Sequence, residues 1–293
     1  MTAVKEEANA KINLFLDVLS KREDGFHEIR TVMHSVSLSD EITVTFSPSD
    51  KRSVRLKVMG SPYLPTDSRN LAVAAANAYM DACAIAGTVD ITLKKKIPIA
   101  AGLAGGSTDA AAVLRAMNRI NKRCLTERIM QRIAASLGSD VPYCYIGKTA
   151  LCLGRGDDIT RLNSKISAHF AIAIGNERVS TPTAYGALDA KYSNFDGSVK
   201  TAGEELFDVA MRDIENGNMP SKSVFNVFES VVLPLCPLAE GAKKYLTELG
   251  ADVAMMSGSG PSVFGVFSDE GKARLAVKAL EEKGYNAFYA HSV

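Results

Sequence analysis

Hydrophobic positions along the chain switch between a two-residue and a three-to-four-residue period, and the switching predicts a mixed α/β protein. Alternation over Ala10 to Leu19, Glu41 to Phe46, Ser53 to Val58 and Val89 to Lys95 predicts strands. An Ala-rich stretch capped by Asp67 or Ser68 and stopped by Gly87 predicts a helix reaching roughly Ala86. A second helix fits Glu127 to Leu137, between Thr126 as cap and Gly138 as stop. Ser139-Asp140-Val141-Pro142 follows, then a strand near Thr149 to Leu153. The polar segment Gly154 to Ser167 is the expected junction between two domains, 1–160 and 161–293.

The second half predicts a strand at His169 to Ile174 and helices near Pro182 to Ala190, Thr201 to Ile214, Val224 to Val232 and Leu238 to Leu249. Strand Val253 to Met256, the turn Ser257-Gly258-Ser259-Gly260-Pro261, strand Ser262 to Phe267, helix Glu270 to Lys283 and strand Asn286 to Ala290 complete it. That order implies helices on one face of a mostly antiparallel sheet.

One segment departs from ordinary patterning: Pro98-Ile99-Ala100-Ala101-Gly102-Leu103-Ala104-Gly105-Gly106-Ser107-Thr108-Asp109. Between Ala100 and Gly106 every residue but Leu103 is alanine or glycine, which strips the loop of side chains just before a predicted helix. Backbone N–H groups approach an anion where Cβ atoms are scarce, and the N-terminus of the following helix favours negative charge. Ser107 or Thr108 is the expected N-cap, with Asp109 in the first turn. Known phosphate motifs do not fit. A Walker loop needs lysine after its last glycine, and a dinucleotide fingerprint starting at Gly258 would need glycine where Val263 stands. Ser107 is not in a G-x-S-x-G elbow, because Asp109 occupies the last position.

Bulk composition removes other classes. With Lys+Arg 34 against Asp+Glu 33, a net charge of +1 gives no global field for nucleic acid or an acidic membrane. The five cysteines are scattered without C-x-x-C spacing, which suggests neither a zinc site nor a disulfide framework and implies reduced thiols. No apolar stretch approaches membrane-spanning length, and Met1 to Asn9 is charged, so a cytoplasmic protein is expected.

Ala10-Lys11-Ile12-Asn13-Leu14, Asp24-Gly25-Phe26-His27-Glu28, the loop Pro98 to Asp109, Gly138-Ser139-Asp140-Val141-Pro142 and Met256-Ser257-Gly258-Ser259-Gly260 occur in the order found in the GHMP small-molecule kinases. The resemblance covers nearly the whole chain. It implies a two-domain α/β (α+β) fold, with an N-terminal ATP-binding domain and a C-terminal ferredoxin-like α/β sandwich, and the use of ATP and Mg²⁺ without an assigned side-chain metal ligand. Pro98, Ile99, Ala100, Ala101, Gly102, Leu103, Ala104, Gly105, Gly106, Ser107 and Thr108 would wrap the nucleotide phosphates, and Asn70 would line the adenine pocket, although a helix-start hydrogen bond explains Asn70 equally well. Ala104 stands where the family usually has glycine, which a methyl group tolerates if φ is negative, and Thr108 stands where it usually has serine.

The resemblance also makes Lys11 and Asp140 the catalytic pair, Asp140 taking the acceptor hydroxyl proton while Lys11 fixes Asp140 and offsets phosphate charge. Without it, edge protection for Lys11 and an Asx turn for Asp140 are the competing readings. Phe26, His27 and Tyr185 match positions that hold a cytosine in family members with a cytidyl acceptor, Phe26 replacing the more usual tyrosine; Asn13 and Thr181 would hydrogen-bond the acceptor. Alternatives within the family are mevalonate- or homoserine-type kinases. A non-catalytic nucleotide-binding regulator is the alternative outside it. Oligomeric state is not legible.

Overall fold

Apolar and β-branched residues hold β1 (Ala3–Lys21) and β2 (His27–Pro48) extended over 19 and 22 residues. The computed structural model describes residues 3–192 and 201–293. Two units form from interleaved sequence. Unit one takes the described part of 1–10 with Ser39–Ile99 and Ala104–Gly147; unit two takes Lys11–Leu38, Ala100–Leu103 and the described part of Lys148–Val293. Both units draw on residues before 160, so neither coincides with 1–160 or 161–293. The segment Gly154 to Ser167 lies inside unit two and carries a strand of its own.

In unit one, Glu41 to Pro48 of β2 pairs antiparallel with β4 (Gly87–Lys94), which pairs parallel with β3 (Ser53–Met59). Helix α1 (Leu71–Ala82) lies against α2 (Gly105–Ile120), and α2 and α3 (Glu127–Leu137) both pack on α4 (Val141–Ile146). Tyr79, Met80, Ala110, Ala111, Val113 and Leu114 are fully buried between these helices and the strands.

Two expected caps move. The α1 cap is Asn70, not Asp67 or Ser68: its Oδ1 accepts from the Ala72 N–H at 3.0 Å, while Asp67 pairs with Arg69. Helix α2 starts at Gly105 rather than after Ser107 or Thr108, and its N-cap is Ala104, without a side-chain cap.

In unit two, β5 (Thr149–Leu153) pairs antiparallel with Thr31 to His34 of β2 and with β6 (Asp158–Arg161). After β7 (His169–Ile174) come α5 (Thr181–Lys191), α6 (Ala202–Glu215), β8 (Phe225–Asn226) and α7 (Glu229–Val232). Then follow α8 (Pro237–Glu248), β9 (Val253–Met256), β10 (Val263–Phe267), α9 (Glu270–Glu282) and β11 (Asn286–His291). The order β11-β7-β10-β9 is antiparallel throughout, with α8 and α9 packed on it, as the predicted pattern of helices over an antiparallel sheet requires. The expected helix at Val224 to Val232 is broken. Asn226 turns inward, its Nδ2 donating to the Met256 and Gly258 carbonyls, and those buried bonds override local helix propensity. Among the described residues, no helix is long and apolar enough to cross a membrane.

Candidate active site

The small-residue loop is a backbone device. φ is +54° at Ala100, +75° at Gly102 and +58° at Ala104, a left-handed residue at every second position. Such alternation turns successive N–H groups toward one concavity, a geometry that binds anions. Among the described residues, none accepts a hydrogen bond from the backbone N–H groups of Ile99 to Ser107. Glycine is required at 102, where a Cβ would lie 2.3 Å from the Ser257 carbonyl oxygen. The condition of negative φ at Ala104 is not met; its left-handed backbone costs about 1 to 2 kcal/mol that glycine would avoid.

Within unit two, residues 100–103 are anchored. The Lys11 N–H donates to the Leu103 carbonyl at 3.2 Å, Ser257 Oγ donates to the Gly102 carbonyl at 3.1 Å, and Ser262 Oγ donates to the Ala101 carbonyl. These serines belong to the Gly258 to Gly260 turn and its flank. Lys11 is 4% exposed. Its Nζ donates to Asn13 Oδ1 at 2.8 Å, and no carboxylate pairs with it among the described residues. An ammonium has three donors and a steep desolvation cost, so a buried one with a single amide partner is configured to receive negative charge. Asn13 in turn donates to Thr31 Oγ1 at 2.8 Å, which fixes its oxygen toward Lys11.

The aromatic group also lies in unit two. His27 is buried, its Nε2 2.6 Å from Asp189 Oδ1, and its ring lies 4.6 Å from that of Tyr185 at 31°. Tyr185 meets Phe228 edge-on at 4.8 Å. Burial would raise the Asp189 carboxyl, but hydrogen bonds from Lys21 and His27 outweigh it and hold the group below its usual range. The ionised carboxylate accepts from Nε2–H. Phe26 is half exposed, with the Arg155 guanidinium 4.8 Å from its ring centre. Thr181 is exposed, with Oγ1 3.0 Å from Ser259 Oγ. The structure thus groups His27 with Tyr185 and Lys11 with Asn13. Asp189 was missed, although its place one turn after Tyr185 on α5 puts both on one face.

Unit one holds the rest. Asp140 precedes α4 at φ −82° and ψ −16°, its side chain making no cap bond and having no partner among the described residues. The Asx turn is not formed, and the carboxylate is left available. Thr108 Oγ1 donates to the Asn9 carbonyl at 2.7 Å, so its lone pairs remain while its hydrogen is committed. Asn70 makes the helix-start bond already described, and its Nδ2 donates to the Pro65 carbonyl.

A further cluster lies beneath Gly105. Lys95 Nζ bonds to Asp40 Oδ2 at 2.5 Å and to Asp109 Oδ2 at 2.7 Å, all three being buried. Two carboxylates share one ammonium, and burial pushes Asp109 up to about 8, with Lys95 lowering it and Asp40 raising it. Because the folded-state value exceeds the unfolded one, Asp109 contributes stability below about pH 4 that is lost as pH rises through 8. Asp109→Asn should therefore gain on the parent by up to about 1.4 kcal/mol per pH unit over that window. Thermal melts at pH 5 and 8.5 check it, and a difference independent of pH would contradict it.

Residues 70–148 match the family model for the GHMP kinases N terminal domain, and residues 209–286 that for the GHMP kinases C terminal domain. The chain belongs to the GHMP kinase family. It is 40% identical over 281 residues, covering 95% of each chain, to 4-diphosphocytidyl-2-C-methyl-D-erythritol kinase of Macrococcus caseolyticus. To the enzyme of that name from Acetivibrio thermocellus it is 37% identical over 294 residues, covering all of both chains. A crystal structure of 4-(cytidine 5'-diphospho)-2C-methyl-D-erythritol kinase is similar at TM-score 0.81 and 30% identity over 98% of each chain. Homoserine kinase from Cytophaga hutchinsonii shares the fold at TM-score 0.76 and 19% identity, over 100% of this chain and 95% of that one.

Proposed function

We propose that the chain transfers the γ-phosphoryl group of ATP to the 2-hydroxyl of 4-diphosphocytidyl-2-C-methyl-D-erythritol, a step in making isoprenoid precursors by the non-mevalonate route. The observation that carries this reading is end-to-end likeness, at 37% to 40% identity, to enzymes of that one name. The free N–H groups of Ile99 to Ser107 support a phosphate cradle, and buried Lys11 supports a site for negative charge. Phosphoryl transfer rests on positioning and electrostatics, so a cradle, an ammonium and a carboxylate that accepts the hydroxyl proton form a sufficient protein contribution. We assign the last role to Asp140.

Mg²⁺ would be held by the phosphates together with the hydroxyls of Ser107 and Thr108, supplying charge neutralisation. We further place the chain in the cytoplasm, acting on small molecules without nucleic acid or membrane.

Phe26, His27 and Tyr185 are assigned to the cytosine. A mevalonate or homoserine kinase has no base to hold, so this cluster favours the cytidyl acceptor over those readings. Phe26→Ala is the direct test, because an exposed ring can be removed without opening the core. It should weaken acceptor binding by about 1 to 3 kcal/mol, as for bases stacked on aromatics elsewhere, with ATP affinity unchanged. Titration calorimetry with each ligand separates the two. Equal affinity of variant and parent for the acceptor would remove Phe26 from the site.

A further inference from the structure

Sequence spacing gave the cysteines no pairing, yet the fold of unit one brings two together. Cys83 follows α1 as its C-cap, and Cys124 lies in the turn between α2 and α3, 41 positions later. Their sulfurs are 3.1 Å apart, and neither is bonded to the other. Cys124 is exposed and Cys83 is partly so, whereas Cys144, Cys152 and Cys236 are buried.

The contact is held by its surroundings. Asn118 ties the turn, its Oδ1 accepting from the Leu125 N–H and its Nδ2 donating to the Leu125 carbonyl, both at 3.1 Å. Tyr79, fully buried on α1, places its hydroxyl 3.2 Å from Asn118 Oδ1 and 3.0 Å from Cys124 Sγ. One residue on each helix thus fixes the register of the thiols. A disulfide needs about 2.05 Å between sulfurs, so roughly 1 Å of approach would close the bond.

We propose that Cys83 and Cys124 form a modification site, a dithiol that a small-molecule disulfide oxidises to an intramolecular bridge between the end of α1 and the α2–α3 turn. The roles of the two sulfurs differ. Burial, then the hydrogen bond with Cys124, pushes the Cys83 thiol up to about 11, so it is not the first nucleophile. Exposed Cys124 loses its proton and attacks one sulfur of the reagent, forming a mixed disulfide and releasing one thiolate. Cys83 then gives up its proton and attacks Cys124 Sγ, breaking the mixed disulfide and releasing the second thiolate. The two protein protons end on the two released thiols. One disulfide is reduced, one is formed, and no further oxidant is consumed.

Folded protein treated with oxidised glutathione, quenched with a maleimide and digested without reductant tests this. The expected product is a peptide pair joined through Cys83 and Cys124, lighter than the reduced pair by two hydrogens, with the buried cysteines unmodified. In Cys83→Ser the glutathione should remain on Cys124, because the resolving thiol is gone. The bridge closes a long loop, so the oxidised protein should melt several degrees higher and return to its starting value with dithiothreitol. Glutathione persisting on Cys124 of the unsubstituted protein, or no reaction at either residue, would overturn the proposal. The wild-type digest decides the matter even if the variant fails to fold.

Discussion

Lys11→Met is expected to yield a protein at least as thermally stable as its parent that turns over at least about 100-fold more slowly, the usual scale for losing one electrostatic stabiliser of a transition state. Lys11 is 4% exposed and its ammonium meets only the neutral Asn13 amide, so its burial is a net cost that a methionine of similar length removes. Asn13 loses one partner, worth about 1 kcal/mol, which partly offsets the gain. Stability and activity therefore move in opposite directions. Melting curves and ADP release measured on the same preparation check this. A large loss of stability would show that Lys11 is structural, and normal turnover would remove it from the chemistry.

Asp140→Asn is expected to keep the fold and ATP affinity and to lose turnover by about 100-fold or more, the scale of a missing general base. The carboxylate caps nothing and pairs with nothing among the described residues, so its amide replacement breaks no bond in the structure. Near-parental turnover by purified variant would reassign the base.

Elements whose signals are local were legible. Glu127–Leu137 and His169–Ile174 begin and end where periodicity, caps and glycine put them. Elements decided by distant partners were not. The stretch Val224 to Val232 has helical periodicity, but Asn226 is drawn to carbonyls 30 and 32 positions away. Helix α4 was not predicted, although its Pro142 fits a first helical turn.

The candidate site divides the same way. The loop was visible because its composition is itself the device, while its left-handed Ala104 was not, since alanine carries no mark of positive φ. In Lys94-Lys95-Lys96 the sequence does not say which lysine is buried; Lys94 pairs with surface Glu41, while Lys95 turns inward to Asp40 and Asp109. Asp189 carries no motif and gains its role only from lying beside His27.

The most direct measurement is ADP release by the unsubstituted chain with Mg²⁺ and ATP against a panel of acceptors. Release with 4-diphosphocytidyl-2-C-methyl-D-erythritol, and none above background with mevalonate, homoserine or CTP, is the expected result. ADP release with mevalonate or homoserine, or none with the cytidyl acceptor, would contradict the proposed function.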